Sequence, residues 1–152
     1  MRIPLFLLAA AGALSLTGCA TYPTAAPYGS ATVTVATKAP YGTYLTDGSG
    51  RALYILEGQR LPSGTVPCDG PCLAVWPPVH GAAVAGPGID PALLTTAPMH
   101  GAPHAIYAGW PLYYYSRDAA PGDTTGQGVH DTWGMWHLLS PSGAPIAQGS
   151  GY

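Results

Sequence analysis

The chain has 152 residues, 8% of them charged and 47% hydrophobic, with a formal net charge of −2. So few cations leave no basic stripe to neutralise a phosphate backbone, which argues against nucleic acid as a partner, and the apolar fraction is far above that of a chain too polar to fold. Glycine and proline supply 21 and 17 residues, enough to break almost every window in which a helix of a dozen residues would have to form.

The N-terminus reads as an export signal. Arg2 precedes the apolar stretch "IPLFLLAAAGALSL", and "LTGC" follows at Leu16 to Cys19. A basic start, a short apolar run and small residues at its end describe a secretory signal peptide; a transmembrane helix needs about 20 apolar residues. "LTGC" resembles the bacterial lipobox, which implies cleavage before Cys19 and a diacylglycerol thioether on its sulfur. Residues 1–18 are therefore expected to be a lipoprotein signal peptide and Cys19 the lipidation site, with the membrane as a partner through the lipid. Each buried methylene of such an anchor contributes about 0.8 kcal/mol, so the domain that follows is free to be soluble. Ala20 stands where an aspartate would change sorting, a pattern similar to that of outer-membrane lipoproteins, and the periplasmic face of the outer membrane is the expected location.

Residues 19–30 form the expected tether, rich in Ala, Pro, Thr and Ser, and residues 31–152 a single all-β domain. "ATVTVAT", from Ala31 to Thr37, alternates by two and predicts a first strand. "TYLT", "DGSG" and "RALYIL", from Thr43 to Leu56, predict a hairpin, because Asp-Gly and Ser-Gly supply the positive-φ positions of a tight reversal. "PALLTTA" from Pro91 predicts one short helical turn. "HAIY", "AGWP" and "LYYY", from His104 to Tyr115, predict a second hairpin, and "WGMWHLLS", "PSG" and "APIAQ", from Trp133 to Gln148, a third. The expected architecture is a compact antiparallel meander, sandwich-like or barrel-like, in which the first two hairpins are related units: both run tyrosine, turn, Leu-Tyr.

Once Cys19 is assigned to lipid, Cys68 and Cys72 of "CDGPC" remain as an even pair. Export places them in an oxidising compartment, so a local disulfide is expected, worth about 2 kcal/mol for so small a loop. The competing reading is a redox or metal-binding dithiol, with three residues between the thiols rather than two and no histidine nearby.

"LYYYSRD", "CDGPCLAVWPP" and "WGMWHLLSPSG" together resemble a family of secreted bacterial lipoproteins, known for a repeated pattern of tyrosine, any residue, aromatic, two residues, aspartate, and described as a secreted repeat of unknown function. The second copy is complete in Tyr113, Tyr115 and Asp118. The first is degenerate, with Tyr54 in place, Leu56 where an aromatic is expected and Gln59 where the aspartate belongs. "WPP" from Trp76 to Pro78 is also similar to the family. The resemblance spans roughly residues 40–145 and implies no general biochemical activity.

Strand alternation puts Tyr113, Tyr115 and Arg117 on one face and Leu112, Tyr114 and Ser116 on the other. Tyrosine on both faces predicts a sheet covered on one side and partly wet on the other. Pro121 and Gly122 end the strand, so Asp118 is expected at its exit, accepting hydrogen bonds from backbone N–H groups a residue or two further on. Glutamine at position 59 suits that role, since an amide accepts hydrogen bonds but does no acid–base chemistry.

Three functional readings follow. The first is a non-enzymatic binding or structural module of the envelope, in which Tyr107, Trp110, Tyr113, Tyr114, Tyr115, Trp133 and Trp136 divide between the core and an exposed platform for a glycan or an envelope protein. The pattern demands no cofactor. The alternative is copper or haem binding by Met99, His100, His104, Met135 and His137, since methionine and imidazole suit copper; Gly101 and Pro103 argue against the helix that would align His100 with His104. An enzyme is not expected: there is no nucleophile elbow, zinc-protease motif or phosphate-binding loop. Asp118, Asp123 and Asp131 lack the spacing of a calcium-binding EF-hand.

Overall fold

The computed structural model describes residues 28–62 and 68–147; the signal peptide, Cys19 and nearly all of the tether lie outside them, as does Gln148. Among the described residues the elements run β1 (Ser30–Lys38), β2 (Gly42–Asp47), β3 (Tyr54–Leu56), α1 (Cys72–Val75), β4 (Ala82–Ala85), β5 (Leu94–Met99), β6 (Ala102–Tyr107), β7 (Trp110–Pro111), β8 (His130–Asp131) and β9 (Gly134–Leu138). They make three sheets, ordered β2-β1-β4, β3-β9-β8 and β5-β6-β7. The fold is all-β, as expected. It is not a plain meander, because β1 pairs in parallel with β4 and β3 pairs with β9 from the far end of the chain.

Local sequence explains most reversals. "ATVTVAT" lies within β1, with Ala31 and Val33 turned into the core. The "DGSG" reversal forms, held by Asp47 Oδ1, which accepts from Ser49 N (2.9 Å) and Arg51 N (3.0 Å). The hairpin it starts is short. The second edge of β2 is shared: Leu53 N donates to Leu45 O at 3.0 Å, while Leu45 N donates to Leu139 O at 2.9 Å, and the chain leaves to build β3. Between β6 and β7 the turn residues Ala108 and Gly109 both take positive φ, 50° and 84°, as a type I′ reversal requires. In "PALLTTA" the expected short turn is confined to the first residues, and the rest is strand. Leu93 N and Leu94 N close a tight turn on Asp90 O and Pro91 O, and the β-branched Thr95 and Thr96 then pair with β6 in β5, where branching at Cβ favours strand over helix. The "PSG" reversal is closed by the Leu139–Pro145 bridge.

The strand edges that meet in the middle form one layer between two hydrophobic cores. Leu45, Leu53, Ile55, Leu112 and Leu139 point into the first core; Tyr44, Tyr54, Leu56, Tyr113, Tyr115 and Leu138 point into the second. Neighbouring residues thus feed opposite cores, the period of two that strand geometry imposes. The half-wet sheet expected from tyrosines on both faces is corrected, because both faces are covered. The Cys68–Cys72 disulfide closes with a Cα–Cα distance of 5.4 Å, and both residues are buried in the second core beside α1.

Candidate functional site

The two motif copies meet. Tyr54 and Tyr113 exchange both backbone hydrogen bonds, at 2.8 and 2.9 Å, so equivalent residues of the copies face each other across an antiparallel bridge and share the second core. From there each ring reaches toward the last residue of the other copy's motif. Tyr54 Oη donates to Asp118 Oδ2 at 2.7 Å. Tyr113 Oη lies by the Gln59 side chain; burial raises the phenol's pKa and the Gln59 amide opposes the rise, although no hydrogen bond of standard geometry reaches this oxygen among the described residues. The five-residue step from tyrosine to Asp or Gln in each copy is the step that crosses the bridge.

Asp118 does accept a main-chain amide, but not the one expected. Its Oδ1 takes Thr125 N, seven residues on, at 3.0 Å, together with the Thr125 hydroxyl. The local work falls to Asp123, whose Oδ2 accepts from Ala119 N and Ala120 N, both at 2.9 Å. Burial, reinforced by the carboxylate of Asp118, pushes the Tyr54 phenol far above its ordinary range, so this hydroxyl stays a donor.

Around Tyr54 the rings stack. Trp76 lies parallel to Trp136 at 3.8 Å and to Tyr115 at 4.2 Å, and Tyr54 meets Trp76 edge-on at 5.6 Å. Asp131 ties the stack together, because its Oδ2 accepts both indole N–H groups, at 2.8 Å from Trp76 and 3.1 Å from Trp136. Its Oδ1 accepts the turn amides of Trp133 and Gly134. Buried indoles need such acceptors. Asp118, Asp123 and Asp131 therefore each serve separate donors rather than a shared cation, and among the described residues no group of three His, Cys, Asp or Glu side chains is arranged to hold a metal ion as it stands.

Of the seven C-terminal aromatics, Tyr107, Trp110, Tyr113, Tyr115 and Trp136 are buried, Tyr114 is half-buried and Trp133 is exposed. A glycan platform centred on Trp110 loses its premise, since that ring is 8% exposed. Tyr114 donates to Asp47 Oδ2 at 3.1 Å, and Arg51 lies over its ring at 4.1 Å.

The five residues of the copper or haem alternative divide into two places. Met135 and His137 are on β9; His137 Nδ1 lies 3.2 Å from Ile146 O and its Nε2 3.7 Å from Glu57. His100 and His104 belong to the β5–β6 hairpin, with Met99 beside them in sequence. There they are joined by His80, whose backbone bridges that of His104. No sequence signal pointed to His80, because only that long-range pairing brings it in. The ring centroid of His104 is 5.6 Å from that of His100, 6.0 Å from that of His80 and 5.1 Å from that of Tyr113.

Searches among curated proteins and among solved structures each return no match. The model of a family described as a secreted repeat of unknown function matches residues 101–140, the segment from the turn before β6 to the strand end after β9, which contains Tyr113, Tyr115 and Asp118. That segment is thereby identified with the secreted-repeat lipoprotein family that the motif resembles.

Proposed function

We propose that the chain is a non-enzymatic module of the cell envelope, anchored through lipid on Cys19 and built to present a rigid double-repeat domain. One observation carries the reading: Tyr54, Leu56, Gln59, Tyr113 and Tyr115 are all buried, and the carboxylate of Asp118 is engaged by Tyr54 and Thr125. A motif turned inward and bonded to itself serves folding; a catalytic carboxylate has to meet a substrate. The family description supports an exported, envelope-associated protein; the lipobox supports anchoring through acyl chains on Cys19, and Ala20 supports the outer membrane as their destination.

Two experiments test the reading. Metabolic labelling with tritiated palmitate should mark the wild-type protein and leave Cys19→Ser unlabelled in the soluble fraction; a labelled or still membrane-bound Cys19→Ser protein removes the anchor. In a strain deleted for the gene, Asp118→Asn should restore the envelope to wild-type behaviour whenever it accumulates as folded protein. A stable, abundant Asp118→Asn protein that failed to complement would give the carboxylate a chemical role.

A further inference from the structure

The histidines at the β5–β6 hairpin have no place in the motif or the aromatic stack. They are also poorly accommodated for a merely structural cluster. His80 Nε2, His100 Nε2 and His104 Nδ1 are buried and have no hydrogen-bond partner among the described residues. Each such atom costs about 1–3 kcal/mol of desolvation, and unsatisfied buried polar groups are few in native proteins.

The chemistry of His104 is the most defined. It is 0% exposed, and its Nε2 lies 2.7 Å from Leu112 O. A carbonyl oxygen only accepts, so Nε2 carries the proton and Nδ1 presents its lone pair. A backbone carbonyl that fixes one imidazole nitrogen as donor and frees the other as ligand is the outer-shell arrangement by which proteins orient metal-binding histidines.

His100 is held there by an unusual backbone. With Met99 paired to Ala102, His100 and Gly101 are the two central residues of the hairpin, at φ 53° and 75°. Glycine takes the left-handed region freely, whereas a residue with a Cβ does so at some cost. His80 precedes Gly81, where a Cβ would come within 2.5 Å of Gly29 O, so residues 28–31 pack closely over this corner, and the Tyr28 ring meets His80 edge-on at 5.2 Å.

We propose that His80, His100 and His104 form a binding site for a borderline transition-metal cation of the copper(II) or zinc(II) class, located where the tether enters the domain. Imidazole nitrogens suit these ions, and the three side chains include no carboxylate of the kind that favours calcium or magnesium. The His104 ring is fixed by Leu112 O, so closing the set requires His80 and His100, both half-buried, to turn toward it about their side-chain torsions. This site differs from the histidine and methionine set expected from sequence, because it includes His80 and excludes Met99, Met135 and His137.

The test is calorimetric titration of the full mature chain, free of affinity tags and metal, with copper sulfate, zinc sulfate and calcium chloride. One equivalent of copper or zinc should bind and raise the melting temperature, and calcium should do neither. His80→Ala and His100→Asn, whose sites tolerate substitution more readily than the buried His104, should each weaken copper binding at least tenfold while circular dichroism stays native. His130→Ala, at an exposed position, should leave it unchanged. Absence of saturable copper or zinc binding, or affinity unaltered in the His80→Ala/His100→Asn double variant, would overturn the proposal; equal weakening by His130→Ala would mark the binding as non-specific and overturn it too.

Discussion

Replacing Asp118 by alanine probes the link between the two motif copies most directly. The substitution removes the acceptor of Tyr54 Oη at 2.7 Å and of Thr125 N at 3.0 Å. The two losses differ in weight. Thr125 is exposed, so water replaces its partner at little cost. Tyr54 is 0% exposed; its oxygen still accepts from Gly126 N at 3.3 Å, but its proton has nowhere to go. An unsatisfied buried hydroxyl costs about 1–3 kcal/mol and the loss of a bond to a charged group about as much, so Asp118→Ala should destabilise by about 2–3 kcal/mol. In a domain of this size that lowers the melting temperature by roughly 10 °C. Asp118→Asn keeps an acceptor oxygen without the charge and should cost about 1 kcal/mol. Urea denaturation followed by tryptophan fluorescence measures both, and a double-mutant cycle with Tyr54→Phe should return a coupling of about 1–2 kcal/mol. An Asp118→Ala protein within about 0.5 kcal/mol of wild type, or a cycle with no coupling, would refute the view that Asp118 serves the opposite repeat.

Gly126→Ala should cost about 1–3 kcal/mol, because its Cβ would come within 2.9 Å of Tyr54 Cε1 and Cζ and 3.0 Å of Trp76 Cζ3, all atoms of rigid buried rings; a melting temperature equal to wild type would show that the stack yields. The His104 pKa is lowered from 6.5 to about 4, so below pH 6.5 the unfolded chain takes up a proton that the folded one refuses. Stability should be complete above that pH and fall by about 3 kcal/mol as the pH drops through this window, and His104→Gln should flatten that part of the denaturation profile; an unchanged slope would place the titration elsewhere. Opening the Cys68–Cys72 disulfide with reductant should lower stability by about 2 kcal/mol and add two alkylatable thiols by mass spectrometry; thiols already free without reductant would contradict the structure.

What the sequence disclosed and what it hid follow from the range of the interactions. The alternation in "ATVTVAT", the glycines of "DGSG" and the spacing of the cysteines act within a few residues, and the structure realises each of them. "PALLTTA" makes its short turn only over the first residues, and the strand from Leu94 onward was not legible because pairing with β6 decides it, which is a tertiary effect. The site contained more that was out of reach. Asp118 looked like the cap of its own strand, yet its weightiest partner, Tyr54, lies 64 residues away. Asp131 read as one of three scattered carboxylates, and its two indole donors include Trp76, which is 55 residues distant. His80 had no local signature at all; it acquires meaning only through its bridge to His104.

The degenerate first copy is intelligible on the same grounds. Asp118 sits at the layer's rim, half-buried and supported by the exposed Thr125, so a charge is tolerable there. Gln59 is 4% exposed, and a carboxylate so deeply buried would demand paired donors to offset its desolvation, whereas an amide does not carry that cost. Leu56 stands opposite Trp136 in the β3–β9 register, and a Cβ at Gly134 would lie only 3.0 Å from its Cδ1; its counterpart Tyr115 instead lies flat on Trp76. An aromatic at position 56 would need volume that Leu56 and its neighbours fill closely. The two copies are therefore complementary halves rather than one intact and one decayed unit. Residues 101–140, the span the family model recognises, hold the acceptor Asp118 but not the Tyr54 that fills it, so the physical unit of this fold is the pair.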